Sequence, residues 1–423
     1  MVKIQKTQQL EVYRTLSNGK KVLVGELAEN RQGIFFAYSA NYLAKYPNLS
    51  PFKLELTTAL QLTDSAVHDG LFGVFADSLP DGWGTLLQDR FFEAHSLNLY
   101  QISPLDRLAF VGHSGIGALS YQPTTHHAAE QQEKSLFELG HNAQQLFEGQ
   151  TDDVLQALIR AGSSGGARPK AQIFMPKGNS RICRTIPQQH DEAWIVKFTT
   201  QSLPLQHEEG LLEAVYLAMA EQAGLQPVEW QLLEQQDFHW LAVKRFDYLS
   251  ETAGRVHTHS LCGLLDATHR SPSIDYFGLL KATKILCQSR LASQLQFRRA
   301  MFNLFGLNQD DHTKNWAFVQ DEQGNWQPSL AYDVTYSPLR HGEHSMGFRQ
   351  YGNAPPLKII QALAEVAGFD NWPQAQLVIE EVVNAIGNFG QLANQYLISR
   401  QTQVKIQQHL NQVWQENREL LSI

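Results

Sequence analysis

Asn308-Gln309-Asp310-Asp311-His312-Thr313-Lys314-Asn315 is the stretch on which the reading of this chain turns. An aspartate is followed five positions later by an asparagine. In a tight loop after a helix, such an Asp can accept a hydroxyl proton while the Asn holds a metal ion beside phosphate groups. The preceding run Arg298–Phe305 is helical in pattern, and Gly306 is placed to end it. Trp316-Ala317-Phe318-Val319 reads as a strand, and Glu322-Gln323-Gly324-Asn325 as a turn that reverses the chain. The return reaches Leu330-Ala331-Tyr332-Asp333-Val334, so a hairpin carries Asp333 back beside Asn315, eighteen residues upstream. A carboxylate there suits Mg²⁺, which takes one or two carboxylates together with phosphate oxygens. Alone, the Asp/Asn spacing is a weak signal, because both residues are common in loops for their local turn bonds. Asp310-Asp311-His312 also admits a metal-hydrolase reading, but no histidines precede it at ligand spacing.

Working outward, Lys197 lies in Trp194-Ile195-Val196-Lys197-Phe198. On a strand, Trp194, Val196 and Phe198 share one face, and Ile195 and Lys197 the other. In the following helix, about Glu208 to Ala223 with Gly224 as its stop, Leu212, Val215, Tyr216 and Met219 form an apolar stripe with Glu213 at its edge. A Lys197–Glu213 pair would aim the ammonium at nucleotide phosphates. An ordinary surface pair fits the sequence equally well. Gly162-Ser163-Ser164-Gly165-Gly166-Ala167-Arg168-Pro169-Lys170 is a flexible loop before a strand over Ala171–Met175. Its glycines would let backbone N–H groups approach phosphates, although a plain mobile turn has the same composition. It is not a Walker loop.

Elsewhere Lys21–Leu27 and Gly33–Tyr38 are β-rich, and Phe110–Leu119 is Gly-punctuated and β-like. Leu79-Pro80-Asp81-Gly82-Trp83-Gly84 precedes a helical pattern that Asp81 is placed to cap. Gln122–Lys134 is polar and reads as a linker. Helices are expected over Ser135–Phe147 and Asp152–Ala161, and strands over Trp194–Thr199 and His239–Phe246. Beyond Leu249 the chain reads as mainly helical around a short β segment at Asn315–Thr335. Amphipathic helices fill Trp372–Leu421, with Leu377, Ile379, Val382 and Val383 among their apolar residues. The expected class is α+β, in the two-lobed order of a kinase: β-rich leader, Gly loop, strand with Lys, helix with Glu, strand, helical lobe with an Asp loop. Three parts are expected, over 1–122, 123–248 and 249–423.

Composition excludes little but excludes it clearly. With 423 residues, 43% hydrophobic and 18% charged, the chain is of ordinary globular make-up and too long for one core. A net charge of −8 gives no global attraction to nucleic acid or acidic membranes. No apolar run approaches a membrane span, and the N-terminus shows no secretory signal. The three cysteines Cys183, Cys262 and Cys287 are too few and too scattered for a disulfide framework, which fits a cytoplasmic protein.

Taken together, the motifs resemble the HipA family of bacterial toxin kinases over nearly the whole chain. They are Leu79–Trp83, Val111–Ala118, Ser163–Lys170, Val196–Phe198, Lys244–Asp247, Asp310–Asn315 and Tyr332-Asp333. The resemblance implies Asp310 as catalytic base, and Asn315 and Asp333 as Mg²⁺ ligands. It implies Lys197 as the phosphate lysine, supported by Glu213. Gly165, Gly166, Ala167, Arg168, Pro169 and Lys170 would form the ATP loop. Lys244, Arg245 and Phe246 would form the hinge, with the Phe246 backbone reading adenine, and His312, Lys314 and Tyr332 would flank the nucleotide. Family members phosphorylate proteins on Ser/Thr, in several cases aminoacyl-tRNA synthetases, and are restrained by a helix-turn-helix antitoxin. Ser163 aligns with the serine they phosphorylate on themselves, with Ser164 a near-equal alternative. The usual loop reads Ser-Ile-x-Gly-x-Gln, whereas here Ser164 replaces the Ile and Arg168 the Gln. Besides an active protein kinase, the sequence admits a silent scaffold that binds an antitoxin, or a small-molecule or lipid kinase.

Overall fold

The computed structural model describes residues 6–63, 66–125, 133–134, 136–147, 168–180, 182–199, 205–235 and 238–421. The expected helix at 152–161, the loop residues 162–167 and most of the polar linker lie outside them.

The first unit is an antiparallel sheet of β1 (Gln9–Thr15), β2 (Lys21–Asn30), β3 (Gly33–Tyr38), β4 (Gln61–Leu62) and β5 (Leu119–Gln122), in the order β4-β3-β2-β1-β5. Leu10 with Val12 and Ile34 with Phe36 alternate into one core, the period-2 burial of a half-buried sheet, and Val24 and Leu27 join them across a register shift that adds a residue to β2. Four helices belong to this unit: α1 (Ala40–Leu43), α2 (Gly73–Ala76), α3 (Gly82–Ala94) and α4 (Pro104–Val111). The β-like reading of Phe110–Leu119 is corrected here. A capping box between Ser103 and Asp106 and Pro104 at the first turn start α4, which holds Phe110 and Val111; the strand begins only at Leu119.

The second sheet contains β6 (Glu133–Lys134), β7 (Lys170–Pro176), β8 (Cys183–Arg184), β9 (Asp191–Lys197), β10 (Trp230–Gln235) and β11 (Phe238–Lys244), in the order β10-β11-β9-β7-β8-β6. It carries α5 (Leu136–Phe147) and α6 (Glu209–Gln222). The α6 helix ends at Ala223, and Gly224 follows at φ 71°, the left-handed position where glycine costs least. It is buried from Glu209 to Ala220 on every face, so its expected stripe is a complete jacket.

The remainder is helical around a small sheet of β14 (His257–Ser260), β15 (Ala317–Gln320) and β16 (Trp326–Pro328), after a two-stranded ribbon of β12 (Tyr248–Leu249) and β13 (Gly254–Arg255). Its helices are α7 (Leu261–Leu265), α8 (Tyr276–Cys287), α9 (Arg290–Gly306), α10 (Leu357–Ala367), α11 (Trp372–Gly387), α12 (Phe389–Gln395) and α13 (Arg400–Glu416). Gly306 is the last residue of α9, as expected, but the left-handed cap falls one residue later, on Leu307 at φ 54°; the Gly306 carbonyl accepts from Tyr216 Oη at 2.8 Å. Of the C-terminal apolar residues, Ile379 and Val382 are buried in the lobe core, whereas Leu377 faces outward.

Candidate active site

The loop after α9 is held from below by Asp311. Its buried carboxylate accepts from Tyr276 Oη, from His344 Nδ1 at 2.8 Å and from the Met346 N–H at 3.1 Å. Its carbonyl accepts from Trp316 Nε1 at 3.0 Å. The metal-hydrolase reading of Asp310-Asp311-His312 fails on this point, because Asp311 is turned into the core away from its neighbours. Asp310 by contrast is exposed, with 57% of its side chain accessible. Its backbone is fixed on both sides. The N–H donates to Ser337 Oγ at 3.2 Å, and the carbonyl accepts from Asn315 Nδ2 at 2.8 Å. That bond leaves Oδ1 as the acceptor end of Asn315.

The return from β16 is pinned by Arg299, buried in α9, which donates to the Leu225 and Ser329 carbonyls at 3.0 and 2.9 Å. Backbone bonds Val228 N to Ala331 O and Ala331 N to Gln226 O, both 2.9 Å, continue the seam. Tyr332 Oη then donates to Lys314 O at 2.7 Å, tying the return to the loop. Asp333 follows in the left-handed region at φ 51°, which Asp tolerates better than most residues.

Lys197 meets this carboxylate from the opposite lobe. Its Nζ donates to Glu213 Oε1 at 2.5 Å and also to Asp333 Oδ1. Burial opposes a charge on Lys197, but Asp333 and Glu213 outweigh it and hold the ammonium above its ordinary pKa. Burial likewise opposes ionisation of Asp333, and Lys197 with Lys170 reverses this, holding the carboxyl well below the usual range. Lys170 starts β7 directly across from Lys197. Burial lowers its pKa, and the Lys197 charge adds to the effect against the pull of Asp333. Asn315, Tyr332 and Asp333 line one cleft with Asn303 and Asn308. The fit to Mg²⁺ is good: an amide oxygen and an ionised carboxylate are the hard oxygen ligands this ion takes.

Other expected site residues fall as follows. Arg168 Nη1 pairs with Glu209 Oε2 of α6 at 2.5 Å. Phe246 stacks near Tyr332, centroids 5.9 Å apart, in an apolar cluster with Ile195 and Val243. Lys244 Nζ bonds Glu192 and Glu229 at 2.7 and 2.9 Å. The Arg245 guanidinium is buried against Asp247, Gln172 and the Gly115 carbonyl, a structural role for its side chain. His312 Nε2 lies 3.8 Å from Asp310 Oδ1. Lys314 Nζ is taken by Asp81 Oδ2 at 3.0 Å. Gly165, Gly166, Ala167, Ser163 and Ser164 lie outside the described residues; Pro169 accepts from the Phe198 N–H at 2.9 Å through its carbonyl. Sequence reasoning missed Asp311, Arg299 and the reach of Asp81. All three act on partners distant in the chain and leave no local signal.

Fold and cleft together define a two-lobed protein-kinase-like molecule with an added N-terminal unit. The chain belongs to the HipA family: the HipA-like C-terminal domain model matches residues 162–388 and the HipA N-terminal domain model residues 18–122. Among solved structures it is similar to HipA of Shewanella oneidensis MR-1, described in complex with HipB and its operator DNA. Identity is 15%, the match covers 96% of this chain and 97% of that one, and the TM-score is 0.68. The proinflammatory kinase CtkA of Helicobacter pylori matches at 12% identity and a TM-score of 0.37, over 54% of this chain and 89% of that one. None of the curated proteins matches the chain significantly. Among the described residues, no helix is long and apolar enough to cross a membrane.

Proposed function

We propose that the chain is an ATP- and Mg²⁺-dependent kinase that phosphorylates Ser/Thr hydroxyls of a protein, as the toxin of a HipA/HipB-like pair. One observation carries this reading: Asp333 of one lobe meets the Lys197–Glu213 pair of the other, and Asn315, which lines the same cleft as Asp333, is bonded to the backbone carbonyl of the exposed Asp310. Asp310, held by its backbone to Ser337 and Asn315, receives the proton of the acceptor hydroxyl. Asn315 Oδ1 and Asp333 would hold Mg²⁺, which when bound neutralises charge between the phosphates. Lys197, preset by Glu213, directs its ammonium at phosphate oxygens. The apolar cluster of Ile195, Val243, Phe246 and Tyr332 suits a nucleobase. Ser163, or Ser164 beside it, is the proposed self-acceptor, on the strength of the family resemblance. The presence of HipB beside the Shewanella HipA supports an antitoxin partner.

The test is incubation of the purified chain with γ-labelled ATP and Mg²⁺, with and without cell lysate, followed by mass spectrometry. Phosphate on Ser or Thr of a lysate protein, and on Ser163 or Ser164, is expected for the wild type and not for Asp310→Ala. Label that appears only on lipid or small molecules, or nowhere, overturns the protein-kinase reading.

A further inference from the structure

Between α2 and α3, the segment Leu79-Pro80-Asp81-Gly82-Trp83 of the N-terminal unit reaches the cleft from outside the two lobes. Asp81 stands at the N-cap position of α3 with extended backbone (φ −120°, ψ 176°), yet its side chain makes no capping bond. A cap aspartate ordinarily accepts from the first turn of its own helix. Here Oδ2 accepts from Lys314 Nζ at 3.0 Å, 233 residues away, and His269 Nε2 lies 3.8 Å from the same oxygen. Two residues on, Trp83 Nε1 donates to the Lys170 carbonyl at 2.9 Å. One short turn therefore touches the catalytic loop of the helical lobe and the first nucleotide strand of the sheet lobe.

The frame behind this turn is stiff. Asp77, at the end of α2 four residues before Asp81, accepts from the Ser260 N–H at 2.7 Å, from Ser260 Oγ at 2.5 Å and from His259 Nδ1 at 2.6 Å. Gly73 and Gly263 meet backbone to backbone; a Cβ on Gly73 would stand 2.0 Å from the Gly263 carbonyl. The carboxylate of Asp81 is thus carried on a base fixed to the helical lobe. Lys314 is fixed at its other end, where its carbonyl accepts from Tyr332 and its neighbour is Asn315. With the backbone set, the partner of the ammonium decides where the charge sits.

We propose that Asp81 is a positioning residue for phosphoryl transfer: it holds the Lys314 ammonium against the catalytic loop, so that the N-terminal unit supplies part of the active site. The proposal rests on the kinase reading above. A misplaced charge at a phosphoryl-transfer site affects the turnover step more than ground-state binding, because positioning is most of what such a site contributes.

The experiment compares wild type, Asp81→Asn, Asp81→Glu, Lys314→Met and the double variant Asp81→Asn/Lys314→Met in the full chain. Rate at saturating ATP, KM for ATP and melting temperature are measured. Asp81→Asn is expected to slow the rate by about 10- to 100-fold with KM changed far less and the melting temperature close to wild type. Asp81→Glu restores most of the rate, and the double variant is no slower than Lys314→Met alone, the signature of two residues acting as one. A wild-type rate in Asp81→Asn, or losses that multiply in the double variant, overturns the proposal. So does a rate loss that merely follows a fallen melting temperature. Acylation of Lys314 by acetic anhydride, read by peptide mass spectrometry, supplies a readout without turnover. It rises several-fold in Asp81→Asn if the pair exists, and unchanged labelling overturns the pairing. A wild type that transfers no phosphate while Lys314 labelling still rises overturns the kinase reading instead.

Discussion

At the residue scale, Asp311 commits its carboxylate to Tyr276, His344 and the Met346 N–H and so anchors the loop on which Asp310 stands exposed. On the proposed roles, Asp310→Ala takes away the proton acceptor and no nucleotide contact, so transfer is expected to be abolished while affinity for Mg–ATP stays near wild type. Asp333→Ala takes away a proposed metal ligand and is expected to weaken Mg–ATP binding at least about tenfold, roughly the worth of one charge-assisted contact. Calorimetric titration separates the two, and equal losses of affinity would falsify the division of roles. A pH dependence follows from the Lys197–Asp333 pair. Asp333 is held below its ordinary range in the folded chain, so it contributes stability above about pH 3.9, the unperturbed value, and loses it as pH falls further. In Lys197→Met most of that contribution is lost, because Lys197 acts on Asp333 both by charge and by a hydrogen bond and only Lys170 and His312 remain. Its deficit in melting temperature at pH 7 therefore narrows as pH is lowered below 4. A deficit that is the same at all pH values rules the pair out as its cause. The spacing of Asp310, Asn315 and Asp333 was legible because a hairpin joins them locally. Which of two adjacent aspartates turns inward was not, because the three partners of Asp311 lie about thirty residues to either side.

Elements add what single residues lack: fixed axes for the groups they carry. The α6 helix is clad on all sides, with Tyr216 bonded to the Gly306 carbonyl and Glu208 bonded to the Ser399 N–H at 2.6 Å. Glu213 therefore presents its carboxylate to Lys197 from a buried axis. The sequence showed the start and stop of this helix but not the burial of Glu209–Ala220, since Glu209 and Glu213 read as a solvated side until their partners Arg168 and Lys197 are known. Glycines in helices make the same contrast testable. Gly73 in α2 crosses Gly263 of α7 so closely that an added methyl must push backbone apart, whereas Gly387 at the end of α11 has open space around it. Gly73→Ala is expected to destabilise by about 1–3 kcal/mol, the usual cost of overpacking. Gly387→Ala is expected to stabilise by about 0.4–1 kcal/mol through the lower entropy of the unfolded chain. Denaturant titration reads both, and like signs for the two contradict the packing described.

For the whole molecule, the question is whether the N-terminal unit is an appendage. Two family models meet the chain separately, at 18–122 and 162–388, and the sequence likewise suggests separable parts. The packing argues otherwise. Trp83, Leu87, Phe91 and Phe92 of α3 share one buried cluster with Ile173, Trp194, Val196, Phe198 and Trp240 of the second sheet and its neighbourhood. The spacing of those α3 residues marks a helix stripe, but no sequence pattern tells which sheet it will cover. On the other side, Arg14 of β1 is buried against Gln320 of β15, reaching its Oε1 at 3.3 Å, and the Asp321 carbonyl at 3.2 Å. Ser50 Oγ meets His259 Nε2 at 2.9 Å in the same seam. Each fully buried large apolar side chain is worth about 1.5–3 kcal/mol relative to exposure. Opening the α3 face alone thus costs as much as a typical domain's net stability of about 5–15 kcal/mol. Neither part can unfold while the other stays native. Differential scanning calorimetry of the full chain should show one transition, with calorimetric and van't Hoff enthalpies equal. Tryptophan fluorescence, which sums the eight tryptophans of the chain with Trp83, Trp194 and Trp240 of the shared core among them, should change at the same temperature as far-ultraviolet circular dichroism. Two resolved transitions, the first removing only the N-terminal sheet, would mean that the shared core is not what holds the lobes and the N-terminal unit together.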